Sequence, residues 1–270
     1  MLIDTHAHMT DPGLLAEAGA VLGRAREAGV GAVITIGITP ASSRTGIELA
    51  AQHQGLFATP GLHPTSVTKI DAGSGAWLED LRQQASMPKV VALGEIGLDN
   101  YHPPRGGLTA GAYHRLQADC FEAQLALAAD LDLNVVIHQR GDCFDQVCAI
   151  LKPWAGRLRA VFHCFSQPWD KAVPLIDDGH LVSFTGIATF KNAADLHDTC
   201  RRIPAGSFMV ETDAPYLAPV PHRGKPCEPA HVRLTAEHIA RLRGESLDDL
   251  ATHTSAAALG FFRGLELPAG

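Results

Sequence analysis

The chain has 270 residues, 46% of them hydrophobic and 19% charged, with a formal net charge of −7. That is the composition of a globular enzyme with no low-complexity tract, and its acidic balance counts against a sequence-reading DNA binder. It counts less against an enzyme that holds phosphates through metal ions, because the ions supply local positive charge.

No apolar run approaches membrane-spanning length, and the N-terminus lacks a basic stretch followed by an apolar core. A cytoplasmic location and no membrane partner are the expectation. The six cysteines show no CxxC spacing and read as reduced thiols.

Short apolar, β-branched runs alternate with segments of helical periodicity. The expected strands are Leu2–Thr5, Ala32–Ile36, Leu56–Thr59, Val90–Gly94, Asn134–Ile137, Ala160–His163, Leu181–Thr185 and Phe208–Glu211. The expected helices are Leu14–Ala28, Ala41–Gln54, Ala76–Ser86, Tyr113–Leu131, Phe144–Trp154, Trp169–Asp178, Ala193–Ile203, Ala230–Arg243 and Leu247–Phe262. Eight runs alternating with helices predict an α/β fold, a (β/α)8 TIM barrel built as a single domain over residues 1–270. The rival is an open doubly wound sheet. That fold usually carries a glycine-rich phosphate turn after its first strand, and here histidines stand there. The Pro/Gly-rich stretch Pro215–Pro229 directly follows the last strand and reads as a long active-site loop, not a linker.

The ends of these strands carry the chemistry. His6 and His8 follow the first strand, and on an extended backbone residues i and i+2 share a face. The third ends in Gly61-Leu62-His63-Pro64 and the fourth in Gly94-Glu95-Ile96-Gly97-Leu98-Asp99. His138-Gln139-Arg140 ends the fifth, His163 the sixth, and Glu211-Thr212-Asp213 the eighth. A closed barrel gathers these ends on one face, and four histidines with two carboxylates are the ligand inventory of a two-metal site. Glu95 follows the buried run Val90–Leu93, where an unpaired carboxylate is costly and a cation is its cheapest partner. Asp213 is similar. Glu211 and Asp99 read as supporting or structural groups. His63 precedes a proline and serves either as a turn cap or at the substrate. The histidines on helical stretches (His53, His114, His197, His238, His253) are expected to face solvent.

Asp4-Thr5-His6-Ala7-His8, Gly94–Asp99, Phe162-His163-Cys164-Phe165-Ser166 and Glu211-Thr212-Asp213-Ala214-Pro215-Tyr216-Leu217 resemble the signatures of the TatD-type metal-dependent hydrolases. So does the run Gln117, Phe121, Gln124 leading towards His138. The resemblance spans residue 2 to about residue 260, in order. It implies a TIM barrel of the amidohydrolase superfamily and deoxyribonuclease activity. Position by position, it implies that His6, His8 and Asp213 hold a first metal, and that Glu95 bridges to a second held by His138 and His163. Two loops depart from the family pattern. Arg223-Gly224-Lys225 is followed by Pro226-Cys227-Glu228-Pro229 where Arg-Asn-Glu-Pro is common, and Asn100-Tyr101-His102-Pro103-Pro104 replaces two tyrosines and an arginine. Both bear on substrate preference and leave the metal residues untouched.

The expected activity is exonucleolytic phosphodiester hydrolysis by a metal-activated water, with Asp213 orienting that water and taking its proton. Arg140, Arg223 and Lys225 are candidates for neighbouring phosphates. A chain this acidic should take DNA as single strands or ends. Histidine-rich ligation suits zinc or manganese, whereas phosphate chemistry and the resemblance suit magnesium. The alternatives are hydrolysis of an ester or C–N bond, such as a mischarged aminoacyl-tRNA, and a non-catalytic scaffold. Two-metal C–N hydrolases of this fold often bridge their ions through a modified lysine on strand four, whose only lysine here, Lys89, lies at the opposite end.

Overall fold

The chain is described by a computed structural model over residues 1–267. Its strands are β1 (Leu2–Ala7), β2 (Val30–Ile36), β3 (Leu56–Thr59), β4 (Leu93–Asp99), β5 (Val135–Arg140), β6 (Ala160–Phe162), β7 (Leu181–Phe184) and β8 (Phe208–Val210). The helices between them are α1 (Pro12–Leu15), α2 (Ala18–Glu27), α3 (Pro40–Gln52), α4 (Ala76–Ala85), α5 (Ala110–Asp130), α6 (Phe144–Leu151), α7 (Trp169–Asp177) and α8 (Ala194–Arg202). After β8 come α9 (Val232–Arg243) and α10 (Leu247–Phe261).

All strand pairs are parallel, in the orders β1-β2-β3 and β4-β5-β6-β7-β8. Two single parallel bridges join the seams. Ala58 pairs with Val90, which leads into β4, and Ala7 pairs with Ala214, which follows β8. The eight strands thus form a (β/α)8 barrel.

The strands alternate between two apolar layers. Ile3, Ile34, Val136, Val161, Leu181 and Met209 fill the barrel interior, closed from below by Phe261, Phe262 and Leu265. Their neighbours Leu2, Val33, Val135, Ala160, Phe162, Val182 and Phe208 face the helices. Because side chains alternate with period two, the inward face continues from Val136 to His138, from Val161 to His163, and from Met209 to Glu211. The apolar floor gives way to ligand-type residues one step up each strand.

Three register shifts interrupt the β1–β2 and β4–β5 ladders, and two of them add a residue to the strand that carries His6 or Glu95. From Asp4 to Ala7, β1 advances three residues while β2 advances two, from Val33 to Thr35. From Leu93 to Ile96, β4 does the same against Val135 to Ile137. Each bulge contributes one extra residue and re-aims the side chains beside it. The expected same-face geometry of His6 and His8 is therefore produced by a bulge and a strand end, not by regular alternation.

Other boundaries also moved. β4 begins at Leu93 and runs through Asp99, because its ladder with β5 extends to Asp99↔Arg140. The expected helix Leu14–Ala28 is divided at Glu17, whose φ of −122° leaves the helical range. The last turn of the expected helix Phe144–Trp154 is a separate 3-10 turn at Lys152–Trp154. His53, His114, His197, His238 and His253 are half-buried and do not face solvent freely. His197 contacts the Ala188 carbonyl at 2.8 Å and His253 lies 3.2 Å from Glu245. All six cysteines are free.

Candidate metal centre

Glu95 sits at the middle of the barrel mouth, 2% exposed. Its two carboxylate oxygens face different histidines. Oε1 lies 2.7 Å from His138 Nδ1, 2.9 Å from His163 Nε2 and 3.4 Å from His63 Nε2. Oε2 lies 3.7 Å from His6 Nε2 and 3.8 Å from His8 Nε2. Asp213 stands on the Oε2 side, its Oδ1 3.2 Å from His8 Nε2 and 3.7 Å from His6 Nε2. The His6 and His163 rings stack at 4.0 Å between the two halves. Three trios of ligand atoms converge, each within 4.8 Å: His6, His8 and Asp213; His6, Glu95 and His163; and His63, Glu95 and His138.

Local backbone chemistry makes this approach possible. Gly97 holds φ +137°, and a Cβ there would collide with the His138 carbonyl. Gly61 packs so closely that its Cβ would meet Gly94 Cα at 2.6 Å. Only glycine lets β3, β4 and β5 draw together here. Asp213 is held at φ +57°, and its N–H donates to the His6 carbonyl at 2.9 Å. Thr212 secures that turn from below: its N–H and hydroxyl donate to the two oxygens of buried Asp4 at 2.9 and 2.7 Å.

A layer of carboxylates orients the imidazoles. His138 Nε2 lies 3.1 Å from Asp99 Oδ2 and its Nδ1 2.7 Å from Glu95 Oε1; with a cation on the Glu95 side, Asp99 would be the partner that takes the ring proton. Asp99 also accepts from the Tyr101 and His102 N–H groups at 3.0 and 2.8 Å and meets His102 Nδ1 at 2.7 Å. Glu211 accepts from the Cys164 N–H and the Ser183 hydroxyl, each at 2.6 Å, and lies 3.4 Å from His163 Nδ1. Asp99 thus lies against His138, and Glu211 against His163.

Burial pushes the Glu95 carboxyl up, but His63, His163 and His138 outweigh it and hold its pKa well below the usual carboxylate range. Burial pulls His6 well below an ordinary imidazole, and His63 down to about 4. Burial also opposes charge on His163, yet Glu95 and Glu211 prevail and raise it well above the ordinary value. The imidazoles around Glu95 thus favour its ionised form, the form a cation would bind.

The donor set fits a cation on direct structural grounds. His6 Nε2 and Glu95 Oε2 are fully buried, point into the same space and have no hydrogen-bond partner. Orphaned polar atoms of this kind are costly unless an ion satisfies them. Nitrogen and carboxylate donors suit a divalent metal.

Of the residues singled out in the sequence, the structure brings His6, His8, Glu95, His138, His163 and Asp213 into one cluster. It adds His63, whose Nδ1 accepts from the Thr65 N–H at 3.1 Å while Nε2 turns to Glu95. The residue caps the turn with one nitrogen and faces Glu95 with the other. Arg140, Arg223 and Lys225 lie outside the cluster, Arg140 exposed at the last position of β5 and the other two exposed on the segment following β8. Lys89 is far from this chemistry, its Nζ donating to the Ala50 and His53 carbonyls at 2.6 and 2.7 Å. Among the described residues, no helix is long and apolar enough to cross a membrane.

Comparisons with known proteins identify the family. The sequence model of the family described as TatD related DNase matches residues 3–263. The uncharacterized metal-dependent hydrolase YabD of Bacillus subtilis is 31% identical over 97% of this chain and 99% of its own length. The 3'-5' ssDNA/RNA exonuclease TatD of Erwinia amylovora is 33% identical over 97% of this chain and 99% of its own. The crystal structure of YJJV, a TatD homolog from Escherichia coli, superposes with a TM-score of 0.88 at 30% identity, covering 97% of each chain. Barrel, cluster and relatives agree: the chain is a metal-dependent hydrolase of the TatD-related DNase family.

Proposed function

We propose that this enzyme is a nuclease that shortens single-stranded DNA from its 3′ end, using two divalent cations held by the cluster around Glu95. The observation that carries the reading is the division of Glu95: one oxygen faces His138, His163 and His63, the other His6 and His8. A carboxylate placed so can bridge two ions. His6, His8 and Asp213 would hold one, and His138 and His163 the other, with His63 also within reach. When bound, magnesium, manganese or zinc would offset charge on the phosphate and make water a better nucleophile at neutral pH.

The chain's own groups would do the rest. The Asp213 side chain is 13% exposed against 3% for Glu95, so Asp213 is the carboxylate that a water entering from the mouth meets first. It would orient that water and accept its proton. Asp99 and Glu211 would keep His138 and His163 in the orientation their ligand role requires. Arg140, at the end of β5, and Arg223 and Lys225, on the segment after β8, are exposed and suited to phosphates beyond the cut bond. The net charge of −7 disfavours a broad duplex interface. Digestion of single strands from the 3′ end follows the name of the Erwinia relative.

The test offers the purified protein a 5′-labelled single-stranded oligonucleotide, its covalently closed circle, the duplex and a model carboxylic ester, with each metal in turn. The expected result is a ladder shortening from the 3′ end of the linear strand and an intact circle. Circle cleavage as fast as linear cleavage would remove the exonuclease reading. Ester hydrolysis with untouched oligonucleotides would replace the nuclease reading with that of an esterase or aminoacyl-tRNA deacylase.

A further inference from the structure

The chain contains three tyrosines. Tyr113 is fully buried, whereas Tyr101 and Tyr216 are 65% and 57% exposed. Among the described residues these two are the only exposed Phe, Tyr or Trp side chains. Both stand on the same face as the metal cluster. Tyr101 follows β4 and Tyr216 follows the end of β8, strands that lie four positions apart either way around an eight-stranded barrel. They therefore rise from opposite walls of the mouth.

Each is tied to the cluster. The Tyr216 ring lies 6.0 Å from that of His8, edge to face. Tyr101 carries the Arg140 guanidinium 4.4 Å from its ring centroid, and Arg140 stands two residues beyond His138 on β5. The β5 ladder braces this corner, the Asn100 N–H donating to the Arg140 carbonyl at 2.9 Å.

We propose that Tyr101 and Tyr216 are base-stacking platforms for the two nucleotides flanking the scissile phosphate, and that Arg140 pairs with the backbone of the nucleotide stacked on Tyr101. The inference rests on the nucleic-acid reading above. A chain with a net charge of −7 draws little affinity from the phosphate backbone, so contacts to the bases carry more of the binding. Stacking on an aromatic ring tolerates any base, because every base has a π-face. It also demands unpaired bases, which accounts for a preference for single strands. A guanidinium already held against a ring loses less freedom when it meets a phosphate.

The test is a double-mutant cycle between protein and substrate. The full-length enzyme, supplied with manganese, is given a labelled single strand and versions carrying one abasic residue at each of the two 3′-terminal positions in turn. For the wild type, kcat/KM should fall about 5- to 150-fold on an abasic substrate, the range for loss of one stacked base. Tyr101→Ala should lose that factor on the intact strand and become indifferent to the abasic residue at one position, and Tyr216→Ala at the other. Tyr101→Phe should retain the wild-type ratio. Arg140→Gln should slow intact and abasic strands alike and flatten the salt dependence. Each intact-to-abasic ratio is measured within one preparation, so the folded fraction cancels. Alanine variants that keep the wild-type ratio, or a wild type blind to abasic residues, would overturn the platforms while leaving the nuclease intact. A wild type that cuts no oligonucleotide with any metal would overturn both.

Discussion

Replacing Asp99 by asparagine separates metal chemistry from simple stability. Asp99 is fully buried, with Oδ1 accepting from the Tyr101 and His102 N–H groups. Its Oδ2 faces His138 Nε2 at 3.1 Å and His102 Nδ1 at 2.7 Å. An asparagine can preserve both Oδ1 contacts. It places an amide nitrogen where Oδ2 was, and an amide donates. His138 must then accept at Nε2 and carry its proton on Nδ1, the nitrogen 2.7 Å from Glu95 where a cation would bind. A hydrogen bond to a charged group contributes about 1.5–3 kcal/mol, and the His102 contact is discounted because that side chain is 36% exposed. The net loss of stability should be about 2–3 kcal/mol. Loss of such an orienting carboxylate costs roughly 10- to 100-fold in metal affinity or activity. The assay titrates manganese into the metal-free Asp99→Asn variant and follows oligonucleotide hydrolysis, beside a urea melt. The midpoint should move to about 10- to 100-fold higher metal, with turnover recovering as metal is raised. A wild-type midpoint alongside reduced stability would reduce Asp99 to a structural group and refute the tautomer argument.

Two further outcomes follow from the same geometry. Gly97→Ala places a Cβ against the His138 carbonyl at a φ of +137°, so it should cost about 1–3 kcal/mol in backbone strain alone and more from the collision; a thermal melt at wild-type level would show that β4 and β5 can part without penalty. Chelation should lower the melting temperature as well as activity, because metal at 100 times its Kd stabilises by about 2.7 kcal/mol, a shift of roughly 5–10 °C for a chain of this size; identical melts with and without chelator would mean that the orphaned His6 and Glu95 atoms take no ion.

Much of this site was legible because barrel strands are buried on both faces and read as unbroken apolar runs, so a histidine or carboxylate ending such a run is conspicuous. His138 and His163 could be placed in this way. β4 was harder to delimit. Glu95, Gly97 and Asp99 look like a turn following a strand, yet they are the strand, because the barrel interior changes from apolar to polar halfway up. The bulges at His6 and Glu95 leave no mark in the sequence, since an extra residue in a ladder depends on the partner strand. His63 was ambiguous because it does two things at once, capping the 3-10 turn with one nitrogen and facing Glu95 with the other. The exposure of Tyr101 and Tyr216 was invisible for a different reason: a tyrosine's composition says nothing of which side of the barrel wall it occupies.

The central claim is that Glu95 joins two cations. Metal content of the purified protein, measured after removal of loose ions and compared between wild type and Glu95→Gln, tests it most directly. The wild type should retain two divalent ions per chain, and Glu95→Gln at most one, with oligonucleotide hydrolysis reduced by roughly 100- to 1,000-fold or more. A Glu95→Gln protein that keeps two ions and wild-type turnover would contradict the account.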